Sequence, residues 1–266
     1  MSFSRRTVAE RVTFSGKGLH SGIPVKMTIH PGEAGIWFRY GSERIKAIPE
    51  NVSDTTRCTR LGSISTIEHL MSAFAGLEIT DAEVELDAGE LPGMDGSAAA
   101  YVDTLANAGF EHVGLEAKPQ LYRRVFLQEG ATKIAVAKGS GHWRYVYETG
   151  ERWPGTQSFE VPEIVVAYRD DIAPARTFAL SEELPMIAKL GLGQGLDETS
   201  ALILGTEGYQ NKARFADEPA RHKLLDAAGD LYLAGIPLRL LSVVAERSGH
   251  TANVKAALML KQATAP

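Results

Sequence analysis

From Thr7 to Trp37 apolar and polar residues alternate in short runs, with Val25, Met27 and Ile29 set against Lys26, Thr28 and His30. A side-chain period of two predicts half-buried strands, and Gly16, Gly18, Gly22, Pro31 and Gly35 predict tight turns between them. The period then lengthens. Ile67, Leu70, Met71 and Phe74 fall at i, i+3, i+4 and i+7, which predicts a helix over 65–77 with one apolar stripe. A strand over 82–86 and a helix over 98–108 complete an α+β unit. The stretch 115–120, bearing Gly, Pro and charges nearby, predicts a boundary between an N-terminal domain, 1–117, and a C-terminal domain, 118–266.

The second half repeats the style. Strands are expected over 123–128, 133–137, 143–147 and 164–168, then a helical stretch after Ser181 and a glycine-rich turn at 191–195 leading to a strand over 201–204. Pro219 suits the first turn of a helix over 219–234 and Gly235 its stop, with a strand at 238–245 and a closing helix from about Asn253. Both halves thus mix a sheet with two helices, although no residue-level repeat is visible. The fold class expected is α+β.

Composition narrows the function. With 266 residues, 44% hydrophobic and 23% charged, the chain is long enough for two cores and has a globular balance. A net charge of -5 gives no field to attract a polyanion, so no nucleic-acid partner is expected. Cys58 is the single cysteine, which excludes an intrachain disulfide and a cysteine-based zinc cluster and suits a reducing, cytoplasmic setting. Residues 1–14 have arginines but no apolar run of the signal-peptide kind. Apolar stretches such as 240–245 fall far short of the ~20 residues that span a bilayer, so membrane contact is expected to be peripheral at most. No obligate protein partner is expected.

Chemistry concentrates on the two strongest helices. His69 lies roughly opposite the apolar stripe of the first, and a histidine near the positive end of a helix stays neutral and able to ligate. The competing reading makes Ser65 and Glu68 a capping box and His69 a solvated residue. On the 219–234 helix, Leu224, Leu225, Ala228, Leu231 and Tyr232 form the apolar face, and His222, Asp226 and Asp230 follow one another at i+4. Its competing reading is a solvated polar stripe. Together, His69, His222 and Asp226 would make a two-histidine, one-carboxylate metal set with a position open to water, and Glu68 could serve as general base.

Other candidates are weaker by themselves. His250 is expected on a glycine-containing loop after a strand, and Thr177 could donate its hydroxyl to a developing oxyanion. Gly16, Gly18 and Gly22 miss the dinucleotide spacing and predict a turn. His30, His112 and His142 have no ligand-spaced neighbour, and Asp95 predicts a turn into the next helix.

Taken together, the strings GKGLHSG at 16–22, SDTTRCTRLG at 53–62, STIEHLMSAFAGL at 65–77, ELPGMDGSAAAYV at 90–102, ARTFAL at 175–180, RHKLLDAAGDLYLAG at 221–235 and SGHTANVK at 248–255 span most of the chain. In identity and order they resemble the LpxC family, the zinc-dependent UDP-3-O-acyl-N-acetylglucosamine deacetylases of lipid A synthesis. The resemblance implies two β-α-α-β domains packed through their helices, with the active site between them. It implies zinc, or Fe2+ in its place, on His69, His222 and Asp226, with Glu68 as base and His250 as the acid that protonates the leaving amine. Thr177 would stabilise the oxyanion, Asp230 would keep His250 protonatable, and Lys223 would help bind the acylated UDP-sugar. Phe178, Leu192 and Leu196 would contact the substrate, the leucines in an apolar passage for its acyl chain that also draws on Leu190, Ala201 and Ile203.

One segment departs from the family. Between the strand expected at 164–168 and Ala175 only a short charged link, 169–174, is found, where the family has a further strand and helix. That departure motivates a second reading, a paralogous zinc amidase acting on another N-acylated or nucleotide-linked sugar. A third, a non-catalytic sugar-lipid binding protein with a structural zinc, would leave Glu68 and His250 without a purpose.

Overall fold

The period-two segment forms the strand it predicts. In the computed structural model, which describes residues 2–117 and 119–264, Val25, Met27 and Ile29 are buried on one face of a strand while Lys26 is exposed on the other. The first half runs β1 (Ser2–Val8), β2 (Val12–Lys17), β3 (Pro24–Pro31), β4 (Ile36–Tyr40) and β5 (Glu43–Lys46). Then follow β6 (Val52–Asp54), β7 (Arg60–Leu61), α1 (Glu68–Gly76), β8 (Ala82–Leu86), α2 (Ala99–Ala108) and β9 (Phe110–Ala117). Five strands form a sheet in the order β2-β3-β8-β4-β5, in which only β4 and β8 run parallel.

The second half runs β10 (Val125–Glu129), β11 (Thr132–Lys138), β12 (Trp143–Glu148), β13 (Thr156–Val161) and α3 (Ile164–Ala167). After these come β14 (Phe178–Leu180), α4 (Leu184–Lys189), β15 (Leu202–Leu204), α5 (Glu218–Tyr232), β16 (Leu241–Glu246) and α6 (His250–Gln262). Its sheet has the order β10-β11-β16-β12-β13, again with one parallel pair, β12 and β16. The topology is therefore repeated. Four strands, a helix, a fifth strand inserted at the centre of the sheet and a closing helix occur twice, although the residues themselves show no repeat.

The helices pack against one another. Every residue of α1 is buried, and Ser72 donates its hydroxyl to the Leu225 carbonyl of α5 (2.8 Å) while receiving one from Tyr168 (2.7 Å). Gly229 makes this crossing possible, because a Cβ there would overlap the carbonyl of Glu68. Leu70, Met71 and Phe74 of α1 join Leu224, Leu225 and Ala228 of α5 in the core. Burial of each large apolar side chain contributes roughly 1.5–3 kcal/mol, which offsets the cost of bringing polar helix faces inward.

Several expectations are corrected. The segment 164–168 is helical: α3 continues as a π-type turn, Tyr168–Ile172. Its β-branched run suggests a strand, but Pro162 follows the end of β13, and burial falls on Ile164, Tyr168 and Ile172 while Val166 is exposed. That spacing of four is helical. The 169–174 segment is therefore not a bare charged link, since its residues to Ile172 extend α3. The 115–120 stretch is partly strand, since β9 pairs with β1 as far as Ala117 opposite Ser2. The expected division at 117/118 falls on Lys118, outside the described residues. The closing helix begins at His250, three residues before Asn253, so His250 stands on a helix rather than a loop.

Candidate active site

α1 and α5 bring His69, His222 and Asp226 together, all buried, with one potential ligand atom from each lying within 4.8 Å of the others. Asp226 Oδ1 is 3.4 Å from His222 Nε2 and 3.6 Å from His69 Nε2. His222 Nδ1 lies 3.0 Å from the Ala175 carbonyl, which only accepts, so that nitrogen carries the proton and Nε2 presents a lone pair. Burial lowers the His222 pKa to about 4 despite the pull of Asp226, which leaves the ring neutral. Burial opposes the Asp226 carboxylate too, but His222, Lys223 and His69 hold it well below the usual range.

Lys223 Nζ donates to Asp226 Oδ2 at 2.9 Å, while Oδ1 is buried with no hydrogen-bond donor. An ionised, donorless oxygen beside two imidazole nitrogens is what a divalent cation satisfies, and the nitrogen and oxygen donors suit one of zinc type. The solvated-stripe and solvated-His69 readings are excluded by burial. So is the capping box. Ser65 donates its hydroxyl to the Gly89 carbonyl (3.2 Å), and Glu68 Oε2 instead accepts the Thr59 N–H at 2.9 Å.

Two titratable groups, Glu68 and His250, stand beside the cluster. Burial raises the Glu68 pKa above the usual carboxyl range, with Asp230 and Asp226 adding to it against His250 and His69. His250 Nδ1 donates to Asp230 Oδ2 at 3.1 Å. Burial alone would disfavour the charged imidazole, but Asp230, with Glu68 and Asp226 beyond it, lifts its pKa to about 9. Asp230 is fully buried behind His250 and does not line the cavity.

Glu68, His69, Thr177, His222, Lys223, Asp226 and His250 line one cavity of about 550 Å³. Much of the rest of its wall is apolar and includes Phe178, Ile187, Leu192, Leu196, Ala201 and Ile203. Leu190 is the exception among the leucines expected there: at 57% exposure it turns away from this cavity. The 175–180 strand segment is fixed to the start of α5 by a buried ion pair, with Arg176 Nε donating to Glu218 Oε1 at 2.9 Å. This pins Thr177 beside His222, whose ring lies 6.0 Å from that of Phe178.

Four residues near the site escape sequence reasoning: His20, Arg57, Thr59 and Glu90. His20 and Arg57 line the cavity, and burial lowers the His20 pKa. Glu90 shapes the His20 turn by accepting the backbone N–H groups of His20 (2.7 Å) and Ser21 (2.9 Å). A side chain at Gly18 would overlap that carboxylate, so the glycines of GKGLHSG were the available signal.

The architecture and the comparisons first define a class, a hydrolytic enzyme. Residues 5–262 match the family model described as "LpxC: UDP-3-O-acyl N-acetylglycosamine deacetylase". The chain belongs to the LpxC family. It is 36% identical over 265 residues to the UDP-3-O-acyl-N-acetylglucosamine deacetylase of Geobacter sp. (strain M21), covering 94% of this chain and 87% of that protein. The protein of the same name from Campylobacter hominis is 34% identical over 267 residues, covering 96% and 90%. Among the described residues no helix is long and apolar enough to cross a membrane.

Proposed function

We propose that this chain hydrolyses the N-acetyl group of UDP-3-O-acyl-N-acetylglucosamine, a step of lipid A synthesis, releasing acetate and leaving the free sugar amine. The observation that carries the reading is the donorless Asp226 Oδ1 facing two imidazole nitrogens in a cavity whose wall also carries a run of apolar side chains. His69, His222 and Asp226 hold zinc, for which Fe2+ is the alternative. When bound, the metal supplies Lewis-acid activation of water and of the amide carbonyl.

The protein's own groups handle the protons. Glu68 takes one from the attacking water as the new carbon–oxygen bond forms. Thr177 donates its hydroxyl to the oxyanion that develops on the carbonyl oxygen. His250, protonated because Asp230 stands behind it, delivers a proton to the amide nitrogen as the carbon–nitrogen bond breaks. Lys223 orients the substrate beside Phe178, and Leu192 and Leu196 hold the acyl chain. The chain acts on its acylated UDP-sugar in the cytoplasm as two domains, 1–117 and 118–266, without an obligate protein partner.

The paralogous-amidase reading is weakened, because 169–172 continue α3 as a helical turn and the family match runs through the whole segment. Assay of the metal-loaded protein with the acylated UDP-sugar, and with UDP-N-acetylglucosamine lacking the acyl chain, tests the proposal. Acetate release from the first far above the second is expected. Equal rates would point to a different N-acylated sugar as substrate.

A further inference from the structure

The string SDTTRCTRLG contributes no side chain to the chemistry described above, yet one of its residues is bonded both to Glu68 and to the carboxylate that holds His250. Thr59 is fully buried and sits just before β7. Its N–H donates to Glu68 Oε2 (2.9 Å), its carbonyl accepts the N–H of Ile67 at the start of α1 (3.2 Å), and its hydroxyl donates to Asp230 Oδ1 (2.6 Å). Every hydrogen-bonding group of the residue is therefore committed. Two of the three bonds grip the start of α1, and the third crosses to α5.

From this geometry we propose that Thr59 is a positioning residue that sets the general base Glu68 and the acid His250 relative to each other from a single point. The inference rests on the roles assigned to those two residues above. Asp230 receives three donors, the Thr59 hydroxyl, Asn253 Nδ2 (3.0 Å) and His250 Nδ1 (3.1 Å). The Thr59 bond is the only one of the three that reaches Oδ1, so it fixes the twist of the carboxylate and, through Oδ2, the plane of the imidazole. A short hydrogen bond to a buried carboxylate is strong and directional. The same residue's backbone fixes the Glu68 carboxyl, so base and acid share one anchor although they belong to different helices.

Thr59→Val tests this, because it keeps the shape and the backbone N–H while deleting the hydroxyl. With the wild type as reference, metal content, thermal unfolding, kcat and KM are measured for Thr59→Val, Thr59→Ala, Thr59→Ser and Glu68→Gln. A misplaced acid should lower kcat by on the order of 10²-fold in the valine variant, with KM and metal stoichiometry unchanged, and serine should restore the rate. The alanine variant carries the test if the valine variant does not fold. Wild-type kcat in either folded variant, a loss confined to KM, or a serine variant as slow as valine would overturn the positioning role. If Glu68→Gln kept full activity, the assigned reaction roles would fall, and this inference with them. A slow Glu68→Gln beside a fast Thr59→Val would remove this inference alone.

Discussion

Asp230 Oδ2 lies 3.1 Å from His250 Nδ1, and the carboxylate is wholly buried one turn of α5 beyond Asp226. The pair makes a sharp pH prediction. Burial would lower the imidazole pKa, and Asp230 is the largest influence raising it, to about 9. An acid must be protonated to act, so activity should fall on a basic limb as pH rises through that value. Asp230→Asn removes the charge and leaves the burial, so the limb should move to lower pH and the rate at neutral pH should drop. A pH–rate profile with an unmoved basic limb would dissociate His250 from proton delivery.

Metal binding should depend on His222. Its Nε2 faces Asp226 Oδ1, and its Nδ1 is committed to the Ala175 carbonyl. His222→Ala leaves two ligands where three were present, so stoichiometric metal should be lost from a protein that still folds. Elemental analysis alongside circular dichroism checks this. Full occupancy in the variant would place the metal elsewhere. Chelators and hydroxamates, whose two oxygens suit a metal centre, should inhibit the wild type.

These two sites show what the sequence could carry. The i+4 run of His222, Asp226 and Asp230 and the stripe Ile67, Leu70, Met71 and Phe74 exposed the two central helices, because helical period is a local property. Which way those helices faced was not local. Asp230 shares the i+4 run of His222 and Asp226, yet it is buried behind His250. The β-branched residues at 164–166 were misread for the same reason, since only the positions of Tyr168 and Ile172 in the core reveal a helix there. Strands β5, β6, β7, β9, β13 and β14 went unanticipated; several are only two to five residues long, and β9 lay where a linker was expected. Thr59 works through contacts 9 and 171 residues away in sequence, with no period to announce it. The repeated sheet topology is likewise a matter of strand pairing, which residue identity does not spell out.

The apolar end of the cavity should read acyl length. Leu192 and Leu196 both line it, and each buried methylene contributes ~0.8 kcal/mol. Leu192→Arg or Leu196→Arg should raise KM for long-acyl substrates far more than for short ones, whereas Leu190→Arg, on the exposed side, should change neither. Steady-state kinetics across a series of chain lengths measures this. Equal losses at every length would indicate damaged packing instead.

Gly229 should prove indispensable to the helix crossing. In an unhindered helix, alanine is favoured over glycine by about 1 kcal/mol. Here the added methyl would meet the backbone of Glu68, which has no rotamer to yield. Gly229→Ala should therefore destabilise by about 1–3 kcal/mol in chemical denaturation and disturb Glu68 as well. A more stable variant would contradict the close approach.

The most direct test of the account is the turnover of a folded, metal-loaded Glu68→Ala protein on the acylated UDP-sugar. The side chain is buried, accepts a single protein hydrogen bond and faces the cavity beside His69, His222 and Asp226, the three potential metal ligands. Loss of a general base costs roughly 10²–10⁴-fold in rate, and metal binding should persist because His69, His222 and Asp226 remain. A fall of that size with metal retained is the predicted result. Undiminished acetate release from the metal-loaded variant would contradict the mechanism.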